Sequence, residues 1–123
     1  MSKNKIFIVD DDKHITLYVK TILEKSGLYE VYEENVGTCA VASAEKISPD
    51  LIFLDVLMPG VEGGVIAAKL KGHPRLKNVP VVFLTGTVTE EKSGMIGGVP
   101  FLAKPVSPEQ LLSCAARYLK EKK

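Results

Sequence analysis

The stretch LIFLD at residues 51–55 is an almost unbroken apolar run that ends in one acidic residue. A short run without polar alternation is typical of a strand covered on both faces, as in a parallel sheet. KIFIV at 5–9 and PVVFL at 80–84 share this pattern, whereas YEVYE at 29–33 alternates and suits an edge strand. A fifth run, VPFLA, lies at 99–103. The sequence therefore predicts five strands, of which the first, third and fourth are central.

The segments between these strands carry apolar residues at helical spacing, most clearly at 15–23, 36–46, 64–71 and 108–119. This alternation predicts an α/β doubly wound, flavodoxin-like fold whose five parallel strands have the order 2-1-3-4-5. Right-handed crossovers then put the first and last helices on one face of the sheet and the middle helices on the other. The segment 86–98 contains four glycines and leaves room for about two helical turns.

The composition excludes several classes of protein. The 123 residues fit one domain over 1–123 with a Lys-rich tail at 120–123. A content of 46% hydrophobic and 25% charged residues argues against a disordered chain. The net charge of +1 gives no electrostatic basis for direct binding to nucleic acid or a membrane.

The cysteines and the N-terminus indicate a reduced, cytoplasmic setting. Cys39 and Cys114 have no CxxC or histidine pairing, and the predicted topology puts them on opposite faces, where they cannot be bridged. The start MSKNK is too short and polar for a signal peptide, and no apolar run approaches the roughly 18 residues that span a bilayer.

Acidic residues follow two of the central strands. The first strand is followed by Asp10, Asp11 and Asp12, and the third ends in Asp55. In an open α/β sheet the binding crevice lies beyond the carboxyl ends of the strands, where the strand order reverses, here between strands one and three. Clustered carboxylates raise one another's pKa unless a cation neutralises them, and a site with only oxygen ligands favours Mg²⁺.

Simpler interpretations exist for single members of this set. Asp12 suits the N-cap of the first helix, and Asp55 alone suits a turn before the Met-Pro-Gly at 58–60. Thr85 and Lys104 follow strands four and five; a hydroxyl and an ammonium can hold a phosphoryl group, although single residues of these types are ordinary at strand ends. The convergence of four strand ends on one rim is the observation that favours a functional site.

Four motifs in order resemble those of the bacterial response-regulator receiver domains of the CheY-like superfamily: IVDDD at 8–12, IFLDVLMPGVEG at 52–63, FLTG at 83–86 and FLAKP at 101–105. The resemblance covers essentially the whole chain. It implies a two-component phosphorelay protein in which Asp55 accepts a phosphoryl group from a histidine kinase or a phosphotransfer protein. It also implies a signalling switch that catalyses only its own phosphorylation and dephosphorylation. A weak or phosphorylation-dependent dimer fits the same resemblance, and the downstream protein or output domain is not specified.

The resemblance also assigns roles to individual residues. Asp11 would bind Mg²⁺ directly, Asp10 would bind it through water, and Asp55 and the backbone carbonyl of Leu57 would complete the protein ligands.

At the other two strand ends Thr85 and Lys104 would contact the phosphoryl group, and the bond before Pro105 would be cis. Phe101 occupies the position of the switch aromatic, whose ring would respond when the Thr85 hydroxyl moves; simple core packing is the alternative for this residue.

Two features depart from the family pattern. Gly86 stands where a residue such as Ala is usual, which suggests a more open phosphoryl site and a shorter phosphoryl lifetime. Thr85 and Lys104 are separated by 19 positions, fewer than is common in the family, so we expect a shortened or mobile fourth helix.

Four alternatives remain open at this point. The chain can be a piece of a longer regulator or hybrid kinase. A small aspartyl-phosphate phosphohydrolase also uses an Asp and Mg²⁺, but it needs a carboxylate at the position that Leu57 holds. A flavin carrier of the same topology needs a phosphate-binding first loop in place of DDDK at 10–13. A receiver-like protein that is not phosphorylated is the fourth alternative.

Overall fold

The computed structural model describes residues 3–86, 93–96 and 98–119. In this part of the chain the strands are β1 Asn4–Val9, β2 Tyr29–Glu34, β3 Leu51–Asp55, β4 Leu57–Met58, β5 Val61–Glu62, β6 Val81–Thr85, β7 Ser93–Ile96 and β8 Val99–Ala103. The α-helices are α1 Lys13–Lys25, α2 Ala40–Ile47, α3 Gly63–Gly72 and α4 Pro108–Tyr118, and a 3₁₀ turn, Gly37–Cys39, precedes α2.

The main sheet has the order β2-β1-β3-β6-β8-β7. Its first five strands are parallel, and β7 pairs with β8 in the antiparallel direction. Because β6 and β8 are the fourth and fifth predicted strands, the predicted α/β class and the order 2-1-3-4-5 are confirmed. The added edge strand β7 was not predicted.

Alternate residues of the central strands pack on opposite faces of the sheet. In β1, Phe7 and Val9 join the core formed with α2 and α3, whereas Ile6 and Ile8 join the core formed with α1 and α4. All five residues of β3 are buried, as expected for a strand covered on both sides. The predicted placement of the first and last helices on one face is therefore confirmed.

Local side chains fix the ends of two helices. Asp12 is the N-cap of α1, and its side chain accepts a hydrogen bond from the backbone N–H of His14 at 2.9 Å. Ser107 and Gln110 form a reciprocal capping box at the start of α4, which has Pro108 in its first turn. Both helices therefore begin directly after the loops that follow β1 and β8, at the predicted site edge.

The segment 86–98 contains an edge strand that was not predicted. Its described residues contain the strand Ser93–Ile96, which places Gly94 opposite Phe101 and Met95 opposite Pro100 of β8. Residues 87–92 and 97 lie outside the described part of the chain, so the expected shortened or mobile helix concerns residues that the structure does not describe.

The two cysteines lie on opposite faces, as predicted. Cys39 is exposed in the turn before α2, and Cys114 packs on the α1 and α4 side. Burial raises the pKa of the Cys114 thiol to about 11. None of the helices in the described residues has the length and apolar character needed to cross a membrane.

Candidate functional site

The three predicted carboxylates Asp10, Asp11 and Asp55 lie together beyond the carboxyl ends of β1 and β3. Each offers one oxygen atom, and these atoms all lie within 4.8 Å of one another. Asp10 is 0% exposed and Asp55 is 5% exposed, whereas Asp11 is exposed to solvent. Three carboxylate oxygens at this spacing form a donor set that suits a hard divalent cation such as Mg²⁺.

Lys104 supplies the positive charge between the two buried carboxylates. Its Nζ donates to Oδ2 of Asp10 at 2.7 Å and to Oδ1 of Asp55 at 3.4 Å. Its backbone N–H donates to the carbonyl of Thr85 at 2.8 Å, which fixes the start of this loop against β6. The side chain is 21% exposed, so solvent screens these ion pairs only in part.

The surroundings of Asp55 raise the pKa of its carboxyl group. Burial, and then the negative charge of Asp10, raise the pKa of Asp55 from its ordinary value of 3.8 to about 6, against the opposing effect of Lys104. Burial alone would lower the pKa of Lys104, but its hydrogen bond to Asp10 and the two negative charges outweigh this effect and raise it. A further cation at the carboxylates would therefore favour ionised Asp55.

The acidic loop is held by a residue that the sequence did not indicate. Asn35, directly after β2, donates through Nδ2 to the carbonyl of Asp10 at 2.8 Å and to Oγ1 of Thr16 at 3.1 Å. The backbone N–H of Asp12 donates to Oδ1 of Asp10 at 2.9 Å. A polar residue immediately after the edge strand, at the same end of the sheet as the carboxylates, was the available indication.

A tight hairpin follows Asp55. The strands β4 and β5 pair around Pro59 and Gly60, and Gly60 has a φ of 84°, which glycine adopts without strain. The chain then returns so closely that a Cβ on Gly63 would contact the carbonyl oxygen of Asp55 and lie 2.8 Å from Cα of Val56. Gly63 thus allows the N-terminus of α3 to pack against the backbone of Asp55.

A cavity of about 290 Å³ opens in front of Asp55. It is lined by Asp55, Leu57, Thr85, Gly86 and Lys104, four of them predicted site residues and the fifth the predicted departure from the family pattern. Its residues come from the ends of three parallel strands, so the structure brings together the groups that the sequence placed on one rim.

The predicted residues Pro105 and Phe101 do not line this cavity. The Lys104–Pro105 peptide bond is cis. Phe101 is buried in the core on the α2 and α3 side, and its strand neighbours are Phe83 on β6 and Gly94 on β7. In this structure the ring is thus part of the packed core.

Comparison with known proteins identifies the family that the sequence motifs resemble. Residues 6–116 match the family model of the response regulator receiver domain. Protein PilG of Pseudomonas aeruginosa is 32% identical over 111 residues, which cover 88% of this chain and 82% of that protein. The DNA-binding dual master transcriptional regulator RpaA of Synechocystis is 34% identical over 112 residues, or 46% of its length. For the response regulator PleD of Caulobacter vibrioides, 34% identity extends over 114 residues, or 24% of its length. The chain thus spans half or less of several relatives that it matches.

Solved structures agree with this assignment. The chemotaxis protein CheY4 of Vibrio cholerae superimposes with a TM-score of 0.83 at 32% identity, over 96% of this chain and 100% of that chain. A CheY-like receiver domain protein of Methanospirillum hungatei gives a TM-score of 0.80 at 28% identity, over 94% and 93% of the two chains. These matches favour the receiver over the phosphohydrolase and flavin-carrier alternatives. The chain belongs to the response regulator receiver domain family, the phosphorylation-based switches of two-component systems that are partners of histidine kinases.

Proposed function

We propose that residues 1–123 act as one receiver domain that takes a phosphoryl group onto Asp55 from a phosphohistidine of a histidine kinase or phosphotransfer protein. One observation carries this proposal: the Lys104 ammonium contacts both Asp10 and Asp55 beside three carboxylate oxygens within 4.8 Å of one another. Charge of both signs around one carboxylate is the arrangement that phosphoryl transfer requires.

In the proposed transfer, an ionised oxygen of Asp55 attacks the phosphorus atom. The new oxygen–phosphorus bond forms as the nitrogen–phosphorus bond breaks, and the imidazole of the donor leaves. Lys104 pairs with the negative charge of the transferred group, and the Thr85 hydroxyl donates to one of its oxygens. In this respect the domain catalyses its own phosphorylation. Hydrolysis ends the signal: water attacks the phosphorus atom, the bond to the Asp55 oxygen breaks, and inorganic phosphate leaves.

The carboxylates of Asp10, Asp11 and Asp55, with the backbone carbonyl of Leu57, are the proposed ligands of Mg²⁺. When bound, the ion would neutralise the charge of the carboxylates and of the phosphoryl oxygens. The exposed position of Asp11 fits direct binding of a partly hydrated ion, whereas the buried Asp10 already accepts hydrogen bonds from Lys104 and from the Asp12 N–H.

The output of the switch is the least specified part of the proposal. Phe101 is the proposed residue that responds to movement of Thr85. With a net charge of +1 the chain itself is not expected to bind nucleic acid or a membrane. A cytoplasmic location and a weak or phosphorylation-dependent dimer complete the proposal.

Intact-mass measurement after incubation with Mg²⁺ and a small phosphodonor tests the central claim. We expect one added phosphoryl group on the wild type and on Asp12→Asn, a control that keeps an efficient N-cap on α1. Asp55→Asn should add none. An unlabelled wild type, or equal labelling of Asp55→Asn, would overturn the proposal.

A further inference from the structure

A hydrogen bond outside the described site joins α1 to the loop that carries Lys104. The hydroxyl of Tyr18 donates to the backbone carbonyl of Val106 at 2.7 Å, between residues 88 positions apart in the chain. Val106 lies two residues after Lys104, and its side chain is buried in the core on the α1 and α4 side. The carbonyl of Val106 is therefore a fixed point through which α1 can hold the loop.

The two ends of this loop are held by other parts of the fold, one by β6 and the other by α4. The backbone N–H of Lys104 bonds the carbonyl of Thr85 at 2.8 Å, and Ser107 begins the capping box of α4. Between these two points the loop runs past α1. The contact from Tyr18 thus ties the middle of the loop to a third element.

An open groove lies between the exposed parts of α1 and the loop. A cavity of about 400 Å³ lies there, with His14, Ile15 and Tyr18 on the helix side and Lys104, Pro105 and Val106 on the loop side. Val106 packs into the same core as Val19 of α1, and the Tyr18 hydrogen bond adds a polar restraint on the loop backbone beside the groove.

The same helix is also tied to the acidic partner of Lys104. Asp12 caps α1, and its backbone N–H donates to Oδ1 of Asp10 at 2.9 Å. Helix α1 is thus linked to Asp10 directly at its N-cap, and to Lys104 indirectly, through the Tyr18 contact with the backbone two residues further along the loop. A rigid helix between two such contacts fixes the distance that separates them.

We propose that Tyr18 is a positioning residue that holds the Lys104 ammonium between Asp10 and Asp55 through the carbonyl of Val106. This inference rests on the proposed function, because it assigns Tyr18 an effect on phosphoryl transfer through Lys104. The proposed effect depends on the phenolic hydroxyl of Tyr18, because this group donates the hydrogen bond to the loop carbonyl.

A single-atom change tests the inference. Tyr18→Phe removes the hydroxyl and keeps the ring, and Tyr32→Phe is its matched control. The Tyr32 hydroxyl also makes one hydrogen bond, to Glu30 at 3.0 Å on β2, and the two tyrosines are similarly exposed at 40% and 37%. Two quantities are measured: the labelling rate of Asp55 by a small phosphodonor with Mg²⁺, and the NMR signal of the Lys104 side-chain Cε without metal.

We expect Tyr18→Phe to slow labelling by roughly threefold to tenfold, the factor that one neutral hydrogen bond supplies. The Lys104 signal should shift or broaden in the same variant. Tyr32→Phe should change neither quantity, and thermal unfolding should show that both variants remain folded.

Three results would overturn the inference. The first is a Tyr18→Phe variant with the labelling rate and the Lys104 signal of the wild type. The second is slower labelling with an unchanged Lys104 signal, which would mean that Tyr18 acts by another route. The third is a changed signal with an unchanged rate. If the wild type itself is not labelled, the proposed function fails, and the Lys104 signal alone decides whether Tyr18 positions the ammonium.

Discussion

The ammonium of Lys104 lies 2.7 Å from the carboxylate of Asp10 but 3.4 Å from that of Asp55. The cation is thus paired more tightly with the fully buried carboxylate than with the proposed phosphoacceptor. Removal of Lys104 would leave the fully buried carboxylate of Asp10 as an uncompensated charge, which is costly.

Replacement of this cation should therefore destabilise the fold. We expect Lys104→Met to lower the free energy of unfolding by about 3 kcal/mol, because Met keeps most of the length of the side chain but removes its charge and its hydrogen-bond donors. Lys20→Met is the control, since Lys20 pairs with Glu33 at 3.7 Å on the surface and such a pair contributes less than about 1 kcal/mol. Urea denaturation measures the free energy of unfolding of both variants, and an equal decrease in the two would contradict the prediction.

The raised pKa of Asp55 predicts how stability depends on pH in the absence of metal. The folded state holds this proton more tightly than the unfolded chain, so the stabilising contribution is full below pH 3.8 and is lost as the pH rises through about 6. Asp55→Asn carries no charge at any pH and should exceed the wild type in stability at neutral pH by on the order of 2 kcal/mol. This advantage should disappear in acid.

Urea denaturation with a chelator, repeated across this pH range, measures the effect. Asp12→Asn is the control, because hydrogen bonding to the backbone of His14 lowers the pKa of Asp12, in the opposite direction. A stability difference between wild type and Asp55→Asn that stays constant with pH would show that Asp55 titrates as it does in the unfolded chain.

The proposed Mg²⁺ ligands can be tested with neighbouring acidic residues. Asp11→Asn should weaken Mg²⁺ binding at least roughly tenfold, and it should leave the fold intact because Asp11 is exposed. Asp12→Asn should bind Mg²⁺ nearly as the wild type does, since Asp12 is outside the group of three close carboxylates. Calorimetric titration measures both affinities, and a chelator should reverse any gain in melting temperature. An equal decrease in Mg²⁺ affinity in both variants would indicate that the ion responds to the total negative charge of the loop and not to a specific ligand.

Two adjacent glycines at the start of α3 should respond in opposite ways to the same substitution. In Gly63→Ala the new methyl group would contact the carbonyl oxygen of Asp55, so we expect a loss of roughly 1 to 3 kcal/mol. Apart from its chain neighbours and the backbone of its own helix, no atom of the described residues lies within 4 Å of a Cβ added to Gly64, so Gly64→Ala should stabilise the helix by up to about 1 kcal/mol. Thermal unfolding compares the two, and a stable Gly63→Ala would show that the backbone near Asp55 can shift.

Gly86 should influence how long the phosphoryl group survives. Among the described residues, an added Cβ would meet only Cδ of Lys104 at 3.9 Å, an ordinary contact, so Gly86→Ala should fold normally. The methyl group would narrow the cavity in front of Asp55, and we expect it to slow hydrolysis of the phosphorylated protein by roughly threefold, equivalent to about 0.6 kcal/mol. Loss of the added mass with time measures this, and an unchanged half-life would remove the predicted role of Gly86.

The order of the parallel strands could be predicted because their apolar pattern is local. β1, β3 and β6 are buried on both faces and read as continuous apolar runs, and the acidic residues follow two of these runs directly. Parallel strands that share one direction bring their carboxyl ends to one rim, so Asp10, Asp55 and Lys104 could be placed together without knowledge of any side-chain conformation.

Other features depend on tertiary contacts that no short pattern reports. The strand Ser93–Ile96 contains Gly94 and lacks regular alternation, so its pairing with β8 was not predictable. In the sequence, Asn35 and Tyr18 belong to no motif that would set them apart from other loop and helix residues. Their hydrogen bonds to Asp10 and Val106 cross 25 and 88 positions, and only the folded chain brings these groups within reach.

The antiparallel pairing of β7 constrains how Phe101 can move. Its backbone has strand partners on both sides, Phe83 on one and Gly94 on the other, so a shift of β8 would disturb two ladders at once. Rotation about the side-chain bonds of Phe101 disturbs neither ladder. Gly94, its partner on β7, presents no side chain next to the ring, which packs on the α2 and α3 side of the sheet. A signal that passes through Phe101 would thus be carried by a rotamer change within a stationary sheet, and its readout would depend on which surface the turned ring fills.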